Sequence, residues 1–338
     1  MSYDIRLEPF GLRFGCGEDE TILQAAFRAG VNLRYGCRHG GCGACRTQLL
    51  SGDVDYAPGA GTAITEFDRQ AGIALLCTAY PREDLTLALE GYEEGDLAPQ
   101  YPPQDMTATL RARKMLTPDV LLLTFELAAG AQFSFAAGQY VEIAIPGTNA
   151  FRSYSCVNPP SRNDHVVCMV RLLRGGIFST YIQAAPLGEQ FRMRGPFGQC
   201  TLADTAADII MVAGGTGLAP IASMLNQLAD MRSRRSVRFY FGAKTRQDLF
   251  WSEEIEALGA ILPNFLYIPV LEEGAVDQAW DGETGLVTEA LERRESGLHR
   301  SEAYLCGSPG MIENATSTLR RLGMFSSRIR CDRFVVTG

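Results

Sequence analysis

Cys37, Cys42 and Cys45, joined after 31 intervening residues by Cys77, have the ligand spacing of a plant-type [2Fe–2S] cluster, a carrier of single electrons. Gly36, Gly40, Gly41 and Gly43 interleave with the first three cysteines. Glycine admits positive φ and close backbone approach, so this loop can wrap an inorganic core and turn N–H groups toward its sulfurs. A structural zinc site is the alternative, because Cys42 and Cys45 form a Cys-x2-Cys. Zinc sites usually present two short paired knuckles; here the ligands fall three plus one in a glycine-rich loop, which favours the cluster. His39 lies inside the loop, but a Rieske centre takes two histidines and the four cysteines already complete the set.

Two further groups of residues suit nucleotides. Arg152-Ser153-Tyr154-Ser155 follows a strand-like run, and Arg171-x2-Arg174-Gly175-Gly176-x2-Ser179 comes shortly after. Together they offer an aromatic to stack on an isoalloxazine, a hydroxyl for its edge and an arginine for a diphosphate. Gly175 and Gly176 before a short helix add backbone N–H donors. Later, an apolar strand runs into Gly214-Gly215-Thr216-Gly217-Leu218-Ala219-Pro220. A strand, a glycine turn and a helix start form a phosphate cradle. Pro220 stands where the usual dinucleotide fingerprint has its third glycine, and proline suits a first helical turn. Lys244 and Arg246 follow the next strand, where a 2′-phosphate would land; either could bind it, or both could be solvated loop charges.

Three segments must position these groups. Tyr3–Glu8 and Leu12–Cys16 read as paired strands around Pro9-Phe10-Gly11. Thr21 to Ala29 has apolar residues at Ile22, Ala25, Ala26 and Ala29, a helical spacing stopped by Gly30. Strands are expected at Thr47–Leu50 and in the alternating Leu85/Leu87/Leu89 run. Residues 93–105, acidic with three prolines, have the composition of a semi-rigid linker. Residues 106–203 are strand-rich with Gly/Pro turns and a short helix near Ser179–Gln183, the pattern of an antiparallel barrel. From 204 the chain alternates, with strands at Asp208–Ala213, Val237–Ala243, Phe265–Leu271, Tyr304–Gly307 and Ile329–Val335. The helices between them fall at Ala219–Met231, Ser252–Leu258, Val287–Arg293 and Met311–Leu322. Such alternation builds a doubly wound parallel sheet. The expected fold is therefore multidomain, α+β and α/β, with domains at 1–98, 106–203 and 204–338.

The 338 residues are 46% apolar and 21% charged, ordinary for globular domains. Charges run through the first thirty residues, unlike a signal peptide, and no segment nears the ~18 apolar residues of a membrane span. The expected compartment is the cytoplasm. The six cysteines outside the cluster set, scattered singly in apolar runs, are expected to be buried reduced thiols. Net charge is −8, and residues 1–98 hold 15 acidic against 8 basic side chains. That balance argues against nucleic acid. It suits either steering toward a basic redox partner or simple solubility.

In motif order the chain resembles the ferredoxin–NAD(P)H reductase superfamily with an N-terminal plant-type ferredoxin domain. Arg152-Ser153-Tyr154-Ser155 resembles its FAD motif and Gly195-Pro196-Phe197-Gly198 its barrel-to-sheet junction. Gly214–Pro220 and Cys306-Gly307-Ser308-Pro309-Gly310-Met311 resemble its pyridine-nucleotide motifs. MSYDIRLEPFG, ETILQAAFRAG and NPPSRND look most like reductase components of soluble di-iron monooxygenases acting on phenol, toluene, methane, propane or alkenes.

The resemblance implies a β-grasp ferredoxin domain, an FAD barrel and an NAD domain. It implies Cys37, Cys42, Cys45 and Cys77 on iron, and Arg152, Tyr154, Ser155, Arg171, Gly175, Gly176 and Ser179 on FAD. Gly214, Gly215, Thr216, Gly217 and Pro220, with Gly307, Pro309 and Met311, would meet the nicotinamide nucleotide. Cys306 would lie beside its ring and Phe334 would cover the flavin. The family often has Glu two residues before that aromatic; here it is Asp332, one methylene shorter, which puts a proton-handling role in doubt. The implied activity is hydride transfer from NADH, with NADPH possible, to FAD. Single electrons would then pass through the cluster to an oxygenase component docking at the ferredoxin domain. A Rieske dioxygenase reductase, a deoxysugar dehydratase reductase and a non-catalytic redox sensor are the alternatives; the intact motif set argues against the sensor.

Overall fold

The computed structural model describes residues 1–60, 63–273 and 279–335. The chain divides into two compact units, Met1–Pro103 and Gln104–Gly338.

In the first unit, β1 (Ser2–Glu8) and β2 (Leu12–Gly17) pair antiparallel. Next comes α1 (Ile22–Arg28), opened by a reciprocal capping box. The Thr21 hydroxyl accepts from the Gln24 amide, and the Gln24 side chain accepts from the Thr21 amide at 2.9 Å, so two orphan donors are satisfied at once. Ile22, Leu23, Ala25 and Ala26 are buried. Ala29, expected on the same face, is the exposed C-cap residue, because α1 ends before it. The chain continues through β3 (Arg46–Ser51), β4 (Val54–Tyr56), α2 (Glu66–Gln70), β5 (Ile73–Leu75), β6 (Ala79–Pro81) and β7 (Leu85–Ala88). The main sheet has the order β2-β1-β7-β3-β5, with β1 and β7 parallel, and β4–β6 forms a separate ribbon. This is a β-grasp, its sheet closing on α1.

The stretch expected to be a linker is folded over its first half. Glu94–Leu97 makes a 3-10 turn, Leu97 is buried, and its carbonyl accepts from the Asn32 amide at 2.8 Å. Acidic, proline-rich composition marked the segment as unpatterned; one leucine and a capping turn were enough to dock it.

The second unit begins with β8 (Gln104–Thr117), β9 (Val120–Leu127), β10 (Tyr140–Ala144), β11 (Phe151–Ser155), β12 (His165–Arg171), α3 (Ile177–Ala184) and β13 (Gln190–Phe197). These strands form an antiparallel sheet in the order β11-β10-β13-β8-β9-β12, and a backbone β-bridge between Cys156 and Cys168 brings its two ends together. Then follow β14 (Ile209–Gly214), α4 (Leu218–Asp230), β15 (Val237–Ala243), α5 (Ser252–Gly259), β16 (Phe265–Leu271), β17 (Glu283–Thr284), α6 (Val287–Arg294), β18 (Glu302–Gly307), α7 (Pro309–Arg321) and β19 (Ile329–Arg333). The sheet is parallel throughout, in the order β17-β16-β15-β14-β18-β19. Helices α4 and α5 pack on one face, α6 and α7 on the other. Both faces of β14 are therefore apolar: Ile209, Met211 and Ala213 on one, Ile210 and Val212 on the other.

The barrel and the parallel sheet share one core. Val120, Ala137, Val157, Met169 and Cys200 join the α4 side of the sheet. The junction is also fixed by polar bonds. Arg235 donates to the carbonyls of Ala207 (2.7 Å) and Ala203 (3.2 Å) and pairs with buried Glu302. Glu302 also accepts from Thr205 (2.9 Å) and Tyr304 (2.8 Å).

Candidate functional site

The loop between α1 and β3 supplies Cys37, Cys42 and Cys45, the turn between β5 and β6 adds Cys77, and the four gather as two pairs. The Cys45 and Cys77 sulfurs lie 3.2 Å apart, and the Cys37 amide donates to the Cys42 sulfur at 3.2 Å. The amides of His39, Gly41 and Cys42 hydrogen-bond Cys37, that of Ala44 bonds Cys42, and that of Gly40 bonds Cys77. The hydrogen bond shared with Cys42 pulls the Cys37 thiol down to about 6, and the bond shared with Cys77 likewise lowers Cys45. Gly36 packs tightly under the loop: a Cβ there would stand 3.0 Å from the Cys42 sulfur, which would have to shift by a few tenths of an ångström. Among the described residues no set of three or more ligating side chains converges on a single metal ion. Two thiols per iron, surrounded by amides, is the donor set of a two-iron cluster rather than of zinc. The residues present fit it.

In the second unit the nucleotide motifs meet at the C-terminal edge of the parallel sheet. β14 ends at Gly214, and Gly215–Gly217 makes a 3-10 turn into α4, with Gly217 as its N-cap. A Cβ on Gly217 would lie 2.1 Å from the Cys306 carbonyl oxygen, and one on Gly214 2.9 Å from the Met311 sulfur. Ala213 pairs with Cys306 in register, and Cys306 with Asp332. Ser308 caps α7, with Pro309 in its first turn. The Phe334 amide donates to the Gly307 carbonyl at 2.8 Å, placing the terminal aromatic just past β19. Gly214–Gly217, Pro220, Cys306–Met311, Asp332 and Phe334 are thus one constellation, with Thr216 half-buried in the turn. No side chain caps α4, whose first amide, that of Leu218, bonds the turn carbonyls of Gly215 and Thr216.

On the barrel, β11 carries Arg152, half-buried Tyr154 and buried Ser155. The Tyr154 ring packs against Phe178 of α3, centroids 5.0 Å apart, and burial pushes its hydroxyl upward. Gly176 is the N-cap of α3, again without a side-chain cap, and Gly175 has φ of +76° with open space where a Cβ would go. That open cradle fits a flavin diphosphate. Ser179 is buried, and its hydroxyl accepts from the Leu173 amide at 2.9 Å, so it also fixes the loop. Arg171, at the end of β12, reaches the nicotinamide-side turn: its guanidinium would stand 3.1 Å from a Cβ at Gly215. Asp119 pairs with it at 3.3 Å.

Lys244 and Arg246 follow β15 at the same edge of the sheet, just past Gly242, which pairs with Gly214. Lys244 pairs with Glu273 at 3.3 Å, and the Arg246 guanidinium lies 5.6 Å from the Trp280 ring centroid.

Sequence reasoning missed several residues. Asp119 holds Arg171, and only the Thr117-Pro118-Asp119 turn hints at it. Of the other cysteines, Cys16, Cys156, Cys168, Cys200 and Cys306 are buried, Cys331 is half-buried, and all are free thiols. They are not all isolated, however. Cys156 faces Cys168, and Cys306 hydrogen-bonds Cys200. Cys306 is fully buried, and that burial raises its thiol well above the ordinary range.

Family models match all three parts: a 2Fe-2S iron–sulfur cluster binding domain at 5–82, an oxidoreductase FAD-binding domain at 107–202 and an oxidoreductase NAD-binding domain at 211–317. The chain is 34% identical to the reductase component of propane 2-monooxygenase from Mycolicibacterium goodii, over 98% of this chain and 97% of that one. It is 36% identical to the reductase component of phenol 2-monooxygenase from a Pseudomonas species, over 99% and 95%. Among solved structures, an Amycolatopsis cytochrome P450 reductase superposes with a TM-score of 0.85 at 28% identity, covering 98% of each chain. The chain therefore belongs to the ferredoxin–NAD(P)H reductase superfamily, among the iron–sulfur flavoprotein reductases, and is an NAD(P)H-dependent oxidoreductase.

Proposed function

We propose that this reductase takes electrons from NADH and delivers them singly, through its iron–sulfur unit, to the hydroxylase of a soluble di-iron monooxygenase. When bound, FAD divides the electron pair of NADH into single electrons, which the [2Fe–2S] cluster carries one at a time. The chain's own residues bind and orient. Gly215–Gly217 and the start of α4 would hold the dinucleotide phosphates, with Arg171 kept above the turn by Asp119. Arg152, Tyr154 and Ser155 would hold the flavin, with Gly175, Gly176 and the start of α3 on its diphosphate. Phe334, tied to Gly307, would exclude water from the flavin face and yield to the nicotinamide. Engagement of Lys244 by Glu273 and of Arg246 by Trp280 favours NADH, because a 2′-phosphate would have to compete for both cations.

The observation that carries the reading is the gathering of four thiols as two amide-lined pairs in a unit separate from the nucleotide motifs. Exit at that unit is favoured by its acidity and by Phe67, 79% exposed on α2. Helix α2 itself adjoins the cluster loop, since the Ala63 amide donates to Gly40 and Arg46 pairs with Asp68. An exposed aromatic rimmed by charge is a common anchor for a partner.

Cys42→Ser is the test. Expected is loss of NADH-driven cytochrome c reduction, with NADH–ferricyanide activity and FAD content retained. Loss of both activities in folded, flavin-replete protein would show that the two units do not work in series.

A further inference from the structure

Arg34, three residues before Cys37, directs its guanidinium and its backbone amide at the segment leaving the first unit. Its guanidinium lies 4.2 Å from the Tyr92 ring centroid and donates to the carbonyls of Glu90, at 3.2 Å, and Gly91. Its own amide donates to the Tyr92 hydroxyl at 2.6 Å. Two residues earlier, Asn32 donates from its amide to the Leu97 carbonyl (2.8 Å) and from its side chain to the Asp96 carbonyl (2.9 Å). The sheet is complete without this segment: β7 ends at Ala88, and the Leu89 amide makes the last bond to the sheet, to Glu8 at 2.8 Å. Glu90–Leu97 adds no strand. It lies instead along Asn32–Arg34, the stretch that feeds the cluster loop.

We propose that Arg34, Tyr92 and buried Leu97 form a clamp that fixes the free length of the tether between the two units, and so are positioning residues for electron delivery to the cluster. This rests on the electron route proposed above. With the clamp closed, the unanchored chain runs from Ala98 to Pro103, 6 residues; with it open, from Glu90 to Pro103, 14 residues. The effective concentration of one tethered module at another falls roughly as the −3/2 power of tether length, so release slows encounter about three- to four-fold. None of the three is a candidate cluster ligand or belongs to the flavin or nicotinamide motifs, and none is expected to alter flavin reduction.

The test uses the full chain loaded with cluster and FAD, comparing wild type, Tyr92→Phe and the double variant Tyr92→Ala/Leu97→Ala. Glutamyl endopeptidase cleavage at Glu93 and Glu94 reports the clamp, and visible circular dichroism reports the cluster. Stopped-flow bleaching of cluster absorbance by NADH reports delivery, and NADH–ferricyanide turnover is the flavin control. Expected for the double variant are several-fold faster cleavage, unchanged dichroism and ferricyanide rate, and cluster reduction slowed about three-fold per cluster. Tyr92→Phe should move the same way by less, and it carries the test if the double variant loses its cluster. Equally fast cleavage in wild type would overturn the clamp. Faster cleavage with an unchanged reduction rate would overturn its bearing on delivery. A wild-type cluster that NADH never reduces would overturn the route itself, and the proposal with it.

Discussion

Gly217 shows what a single position can dictate. A methyl group there would overlap the Cys306 carbonyl, a backbone atom that cannot rotate away. Gly217→Ala must therefore push the phosphate turn off β18, at a cost of about 3 kcal/mol. Gly175 is the contrast: its φ is positive but its Cβ direction is empty. Gly175→Ala should cost only about 1 kcal/mol of backbone strain. Expected for Gly217→Ala is a drop of at least about tenfold in kcat/KM for NADH with FAD retained. Chemical denaturation and steady-state kinetics on both variants check this, and equal behaviour of the two would refute it. Both glycines were legible as turn residues between a strand and a helix because the flanking strand and helix patterns are strong. Their different reasons for being glycine were not, since one depends on a carbonyl 89 residues away in sequence. The same limit hid the Cys200 partner of Cys306 and the Asp119 partner of Arg171.

At the scale of elements, the barrel-to-sheet junction is held by a nearly dry charge network rather than by the loop's own structure. Glu302, 3% exposed, receives Arg235, Thr205 and Tyr304. Glu302→Ala leaves the Arg235 guanidinium, itself only 12% exposed, without its carboxylate. Breaking one partner out of such a pair costs about 3–5 kcal/mol. Thr205→Ala, which removes one neutral donor, should cost about 1 kcal/mol. Urea titration followed by flavin fluorescence should rank them in that order, and the reverse order would contradict the network. Strands β14, β15 and β16 were readable because each carries five or more apolar residues, and helices α4 to α7 because their apolar residues recur at helical spacing. The three-residue strands β4, β5 and β6, the two-residue β17 and the five-residue α2 lie below the length at which periodicity can speak. Helix α2 buries nothing; its capping box and the Arg46–Asp68 pair hold it instead.

At the scale of the molecule, the chain's negative charge is concentrated where electrons are proposed to leave. Residues 1–98 carry 15 acidic against 8 basic side chains, within a total of −8. All eight cations there are arginines, and several are already spent on neighbouring carboxylates: Arg13 on Asp4, Arg28 on Glu20, Arg46 on Asp68 and Arg82 on Asp55. Pairing leaves the unit's excess charge negative, and a field of that sign attracts a basic acceptor over about one Debye length, ~10 Å at 0.1 M salt. Cytochrome c, a basic protein, makes the field measurable. Raising salt from about 20 to about 200 mM should lower its second-order reduction rate by roughly tenfold. Single-turnover flavin reduction by NADH, governed by local contacts at the sheet edge, should change far less. If both steps showed the same salt dependence, the acidity of the first unit would serve solubility alone. If only the outward step responds, the charge asymmetry assigns direction to the chain: nucleotide in at the nearly neutral unit, electrons out at the acidic one.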